Sequence, residues 1–401
     1  MHRLFIVGSR GVPADYGGFE TFAEELSTRL AARGHSVYVT CEYTSEDAEA
    51  PSSYRDVRLL HVPVPSHTAR PIVGDVKALW RCVRFADAGD IVYLLGYGAG
   101  PFALPVIAYL RARGVSVWLN PDGIEWRRTH WSWAARLYLR FCGRFLPPRV
   151  DRLICDSEAI EAHHQANRGG SPPQTDVIEY GAPVVHLNDL GAEASARRDH
   201  YLDRYALTPG EYYIQVGRLV PENNLELMVR GVLDDRINRR LLVISNRDSG
   251  DGLYRFLQRL VEAEGTGDEV VFAGTIYDRS LLQALRLGAY AHLHGHEVGG
   301  TNPALVEAMG LGNLILALNT RFNREVLGRA GLYFGKSVKS VVRMLRHAEQ
   351  LAPDEIRQYQ RRARTRVRRH YNWPRIADAY ERRIWGSVTR STPSPPMTAP
   401  A

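Results

Sequence analysis

Three glycine-bearing segments of this chain carry the residue types needed to grip a diphosphate. The first is Gly8-Ser9-Arg10-Gly11 running on to Gly17-Gly18-Phe19-Glu20, between an apolar run and a helical pattern. Glycines there let the backbone turn tightly, and the free N–H groups of a helix start favour an anion. The spacing is not Gly-x-Gly-x-x-Gly and no Walker lysine follows, so a purely structural turn remains an alternative. The second segment is Gly217-Arg218-Leu219-Val220-Pro221-Glu222-Asn223-Asn224. Arg218 would emerge at the carboxyl end of a strand, where open sheets bind ligands, and a planar guanidinium can hold two phosphoryl oxygens. A salt-bridged surface arginine is the plain reading. The third runs from His294-Gly295-His296 through Gly299-Gly300-Thr301-Asn302-Pro303 to Glu307. Pro303 suits the first turn of a helix, so Gly299, Gly300 and Thr301 would present N–H groups at its start. Glu307, one turn further in, could take two hydroxyls of a ribose or sugar.

Acid–base and hydroxyl-binding candidates lie elsewhere. Asp122 sits in a polar turn just after a strand, where its carboxylate could orient a hydroxyl. Asp-Gly is also turn chemistry in any fold. Glu20 and Glu125 could bind hydroxyls or pair with Arg127 or another arginine. His292, His294 and His296 alternate as on a strand, yet no further ligand of convincing spacing accompanies them, so no metal site is assigned.

These groups need a scaffold that brings strand ends together. The first half alternates strands with helical spacers: Leu4–Val7, Val37–Cys41, Val57–Val62, Ile91–Leu95, Val115–Leu119, Arg152–Cys155 and Val177–Glu179 read as strands. Phe19 to Arg33 reads as a helix closed by Gly34. The pattern restarts at Tyr212–Val216 and continues through Leu241–Ser245, Val270–Ala273, Ala289–Leu293 and Leu314–Leu318. Strands separated by helices, many without alternation, indicate an α/β protein with parallel sheets covered on both faces. Two similar halves predict two Rossmann-like domains facing a cleft. The expected boundaries are 1–185, a connection at 186–210, a second domain at 211–370, a helix at 371–386 and a disordered tail at 387–401.

At 401 residues two domains are the default, and the scattered Cys41, Cys82, Cys142 and Cys155 suggest neither a disulfide scaffold nor a thiolate metal site. The run after Met1-His2-Arg3 is far too short for a signal peptide or a membrane span, so a cytoplasmic location is expected. The net charge of +7 is unevenly placed. Arg127, Arg128, Arg136, Arg140, Arg144 and Arg149 form one block without acids, and the stretch Arg361 to His370 forms another. Neither lies in a recognisable nucleic-acid module, so no nucleic-acid partner is expected. The first block has helical spacing with Leu137, Tyr138, Phe141 and Phe145, which suits an anionic membrane surface. An ordinary helix packed by its apolar side, with solvated arginines, is the alternative.

Taken jointly, Arg218, the glycine loop and Glu307 resemble the large retaining glycosyltransferases of the two-Rossmann, B-type fold. The likeness is nearest to the bacterial capsule and exopolysaccharide rhamnosyltransferase-like subfamily. Its marks here are Gly8-Ser9-Arg10-Gly11-Val12-Pro13, Tyr16-Gly17-Gly18-Phe19-Glu20-Thr21, Asp122 to Arg128, Asp156-Ser157 and Gly299 to Pro303. The resemblance implies a nucleotide-sugar donor on the second domain, with dTDP-rhamnose the first choice, and no further cofactor. It implies a saccharide acceptor, carried on a polyprenyl diphosphate, on the first domain. It further implies retention and a last helix, Trp373 to Trp385, that returns to the first domain. Two positions depart from the wider pattern: its first glutamate falls at Gly299, and its phosphate-binding lysine at Asn223. A sugar-nucleotide epimerase of the same architecture is the alternative reading.

Overall fold

The apolar runs assemble into two sheets in a computed structural model that describes residues 2–14, 17–43, 51–64, 70–128, 131–166, 173–245, 251–265 and 267–386. The first sheet contains β1 (Leu4–Val7), β2 (Val37–Tyr43), β3 (Ser53–Tyr54), β4 (Val57–Pro63), β5 (Ile91–Leu95), β6 (Ser116–Asn120), β7 (Arg152–Cys155) and β8 (Gln174–Val177). Their spatial order is β3-β4-β2-β1-β5-β6-β7-β8, parallel except for the β3–β4 pair. The second sheet contains β9 (Tyr212–Val216), β10 (Arg240–Ile244), β11 (Val270–Gly274), β12 (Ala291–His294), β13 (Leu314–Leu318) and β14 (Leu332–Phe334). It is wholly parallel, in the order β11-β10-β9-β12-β13-β14.

Helices cover both faces of each sheet, so β5 and β13 are buried along their full length and show no alternation. The exception is β8, which starts three residues and ends two residues earlier than its apolar residues suggest. It is an edge strand whose register is set by Arg152 pairing with Asp176 and Gln174 rather than by apolar burial. The order reverses at β1, flanked by β2 and β5, and at β9, flanked by β10 and β12. Chain leaving such a switch point opens a crevice, which places the first two glycine segments where a ligand can sit.

Helix Gly191–Asp203 buries Leu202 in the core around β9 and β10, so the later part of the connecting stretch packs with the second half. The helix Trp373–Trp385 crosses back. Its Trp373, Ile376, Tyr380 and Ile384 join the core of the first domain, and the Tyr380 and Tyr93 hydroxyls are 2.8 Å apart. Arg33 holds Glu381 at 2.6 Å and Asp378 at 2.8 Å on its outer side. The second arginine block lies on helix Pro353–His370. Arg364 donates to the Leu311 carbonyl and Arg366 to those of Val326 and Glu325, at 2.6–2.7 Å. Both cap the carboxyl ends of neighbouring helices, where cations are favoured, so part of this block is structural.

The domains also meet beside the cleft. Glu325 of the second domain accepts the Glu158 and Ala159 N–H groups at 2.7 and 3.1 Å, capping helix Glu158–Ala166 of the first. Phe322 is buried in the first domain's core, with Val298 packed against it. Residue 16 and the expected disordered tail lie outside the described residues.

Candidate active site

A cleft of about 410 Å³ lies between the two sheets and is lined from both. It gathers Gly17, Gly18 and Glu20 after β1, Asp122 after β6, Arg218 and Asn223 after β9, and Gly299, Gly300, Thr301 and Asn302 after β12. Four loops separated by up to 285 positions thus converge because each leaves the carboxyl edge of its sheet.

Arg218 is exposed in this cleft and makes no hydrogen bond or ion pair through its guanidinium with a described residue. Arg128, by contrast, is buried and spent on Glu125 at 2.8 Å and Asp122 at 3.5 Å. A guanidinium with no hydrogen-bonded partner, its charge felt by nearby Glu125, is available to an anion. Lining the same cleft, Asn302 caps helix Pro303–Leu311 by accepting the Ala304 N–H at 3.0 Å. Pro303 occupies the first helical position, and the amino end of this helix borders the cleft.

The glycine loop is squeezed between domains. A Cβ at Gly300 would lie 1.7 Å from Asp156 Oδ1, and one at Gly299 would need a φ of +148°. The sequence pattern assigns Asp156 no role. It is buried at the end of β7, its Oδ2 accepts the Thr301 N–H at 3.0 Å, and its carbonyl accepts the Thr301 hydroxyl at 2.5 Å. Thr301 therefore has its N–H engaged in this structure. Asp156 Oδ1 is buried with no partner, and burial together with nearby Asp122 pushes this carboxyl well above its usual range.

Asp122 adopts a left-handed φ of +54°, and its N–H donates to Asn120 Oδ1 at 2.8 Å. The turn thus aims the side chain at the cleft. Glu125 is its close neighbour, and burial followed by the Asp122 charge pushes Glu125 from 4.5 to about 8, against the pull of Arg128. The folded state therefore holds a proton that the unfolded chain releases. That contribution to stability is complete below pH 4.5 and disappears as the pH rises to about 8. Glu125→Gln should flatten this decline. Denaturant midpoints measured from pH 5 to 9, with wild type and variant falling in parallel, would show that Glu125 titrates normally.

Other expected residues sit differently. Glu20 lines the cleft but turns back to accept the Arg10 N–H at 3.2 Å. Glu125 pairs with Arg128, not Arg127; Arg127 is exposed on the turn Glu125–Arg127 outside the cleft lining. Glu307 lies beyond the lining as well, held at 2.8 Å by the buried Arg286. Asn223 is buried, donating to the Arg218 carbonyl and facing His296, each at 2.7 Å. His292, His294 and His296 do share one face, the first pair stacked at 6.0 Å and the second tilted at 6.1 Å, and burial drives all three below the ordinary histidine pKa. Among the described residues no cluster of three or more His, Cys, Asp or Glu is arranged to hold a metal ion.

Solved structures share this fold. Sucrose-phosphate synthase from Thermosynechococcus elongatus superposes with a TM-score of 0.75 at 18% identity, covering 96% of this chain and 100% of that one. A glycosyltransferase from Rickettsia africae gives 0.70 at 13% identity, covering 96% and 99%. An Anabaena protein in complex with UDP gives 0.70 at 12%, again covering 96% and 99%. The chain has the glycosyltransferase B-type fold. Residues 1–183 match a family described as a domain of unknown function, DUF1972, and no curated protein sequence matches.

Proposed function

We propose that this B-fold chain is a glycosyltransferase that moves a sugar from a nucleoside-diphosphate donor to a saccharide acceptor. The observation that carries the reading is the unpaired Arg218 guanidinium, set beside the Gly299-Gly300 loop in a cleft shared by both domains. Breaking the sugar–diphosphate bond develops negative charge on the leaving diphosphate. Arg218, the loop amides and the start of helix Pro303–Leu311 supply positive potential where that charge appears, which is the basis for a metal-independent mechanism. Asp122 and Glu20 enter from the opposite wall, suited to the acceptor and sugar hydroxyls. The likeness to rhamnosyltransferases makes dTDP-rhamnose the first choice of donor, with retention at the anomeric carbon.

Titration with dTDP-, UDP- and GDP-sugars, followed by donor hydrolysis with and without chelator, tests this. Tightest binding of dTDP-rhamnose and hydrolysis indifferent to chelator are expected. Strict chelator sensitivity restored by a divalent ion removes the metal-free mechanism, and epimerised donor formed without acceptor replaces transfer with epimerisation.

The acceptor is taken to be lipid-linked, and the first domain offers a docking face. Among the described residues no helix is long and apolar enough to cross a membrane. Helix Trp133–Phe145 turns Tyr138 inward, its hydroxyl on the Gly98 carbonyl at 2.9 Å, and buries Cys142. Trp133, Leu137 and Phe141 instead point to solvent, 79%, 61% and 49% exposed, beside the exposed Arg136, Arg140 and Arg144. Phe102, 59% exposed, extends the face from the adjoining turn Gly100–Ala103. Exposed rings beside a basic stripe fit the headgroup boundary of an anionic bilayer on the cytoplasmic side. Each arginine adds about 1 kcal/mol there. Reversing Arg136, Arg140 and Arg144 to Glu should weaken binding to phosphatidylglycerol vesicles on the order of 100-fold or more, with donor affinity intact. Equal vesicle binding by this variant, with its fold preserved, discards the face.

A further inference from the structure

The two departures from the wider glycosyltransferase pattern, Gly299 and Asn223, touch the same side chain. His296 follows β12 by two residues and brings its Nδ1 to 2.7 Å from Asn223 Oδ1. The orientation of that amide is not free. The Arg218 carbonyl, 2.7 Å away on its other side, can only accept, so the Asn223 atom facing it is the Nδ2 donor. Oδ1 therefore faces the imidazole, and an amide oxygen can only accept. His296 Nδ1 must carry the proton.

Burial, then Arg128, His294 and Arg218, hold the His296 pKa well below its ordinary value, so the ring is neutral near pH 7. In that tautomer Nε2 bears a lone pair. It makes no hydrogen bond with a described residue, and the ring lines the cleft. It also lies over Gly299, where a Cβ would meet Nε2 at 3.0 Å. A glutamate at 299 and this imidazole would compete for one place. The second domain's wall of the cleft presents Arg218, the amide side chains of Gln215 and Asn302, and backbone amides but, among the described residues, no carboxylate. A hydroxyl bound against that wall needs an acceptor for its proton.

We propose that His296 Nε2 is the donor-sugar specificity contact, accepting a hydrogen bond from one hydroxyl of the transferred sugar, with Asn223 as the positioning residue that fixes its tautomer. The proposal rests on the nucleotide-sugar reading given above. A carboxylate can take two hydroxyls, whereas a single ring nitrogen takes one. The second domain should therefore discriminate among donors at one carbon of the sugar rather than two.

The experiment compares wild type, His296→Phe and His296→Gln by calorimetric titration with dTDP and UDP and with the corresponding nucleotide sugars. Phe keeps the ring and removes the acceptor; Gln restores an acceptor on a flexible arm. His296→Phe should leave affinity for the bare diphosphates within about threefold and lower affinity for the best nucleotide sugar by about 10–100-fold. His296→Gln should recover part of that loss. Unchanged sugar affinity in His296→Phe overturns the proposal, as does an equal loss toward the bare diphosphate, which would make His296 a support for the loop. Wild type that binds no nucleoside diphosphate overturns the donor reading, and this proposal falls with it. A second measurement does not depend on any donor: ¹⁵N spectra of histidine-labelled protein, with the His296 signals identified from those missing in His296→Phe. A protonated Nδ1 and a bare Nε2 near pH 7 are expected. A proton on Nε2 overturns the assignment whatever the donor.

Discussion

Replacing Arg218 with alanine should lower kcat/KM by about 100- to 1000-fold, the cost of losing one strong contact to developing negative charge, roughly 2.7–4 kcal/mol. The side chain is exposed and bonds to no described residue, so its removal leaves no buried partner stranded. Its carbonyl, which receives the Asn223 amide, survives in the variant because it is main chain. Stability should accordingly stay within about 0.5 kcal/mol of wild type. That separates a catalytic loss from an unfolding one. Arg218→Lys should restore little, since an ammonium cannot hold two phosphoryl oxygens in one plane. Donor hydrolysis, read beside a thermal melt, checks both expectations. Activity within threefold of wild type in Arg218→Ala would take Arg218 out of the leaving-group role.

The largest effect on stability is expected at Trp373, where the last helix meets the first domain. The indole is buried against Gly181, where a Cβ would lie 2.5 Å from its ring, and its centroid is 6.3 Å from that of Phe22. Tyr93, Tyr180 and Tyr380 complete the same cluster. Trp373→Ala should cost about 3–5 kcal/mol, the transfer term for a large aromatic plus the cavity it leaves. Trp373→Phe should cost much less than this. The indole Nε1 is buried without a partner, so phenylalanine removes an unsatisfied donor along with the volume. Urea unfolding followed by circular dichroism, with the first-domain transition analysed by itself, measures both. A loss below about 1 kcal/mol in Trp373→Ala would mean that the helix is not anchored through this residue. The same helix joins the domains a second time, so its loosening should also reach the cleft. Donor affinity in Trp373→Ala is expected to fall below that of Trp373→Phe.

The sequence alone determined the local grammar of this protein. Apolar runs such as Leu4–Val7, Tyr212–Val216 and Leu314–Leu318 are strands with those very limits, and Trp373–Trp385 is a helix with Pro374 in its first turn. Such features are legible because burial on both faces of a sheet demands uninterrupted apolar residues, and because glycine, proline and asparagine mark the turns and caps. For the same reason the sequence places Arg218 just after a strand, and Gly17 and Gly299 in loops that lead from a strand into a helix. Tertiary structure alone decided who faces whom. It set Asp156 against Thr301 across 145 positions, turned Glu307 to Arg286, gave Glu125 to Arg128, and joined Asn223 to His296. It also sorted helix Trp133–Phe145, turning Tyr138 inward and Leu137 outward although both are apolar neighbours in one pattern. Periodicity reports which residues share a face of their own element. Partners across the cleft depend on how two separately folded sheets are set against each other, and that placement is fixed by contacts such as Glu325 on helix Glu158–Ala166, which leave no trace in local spacing.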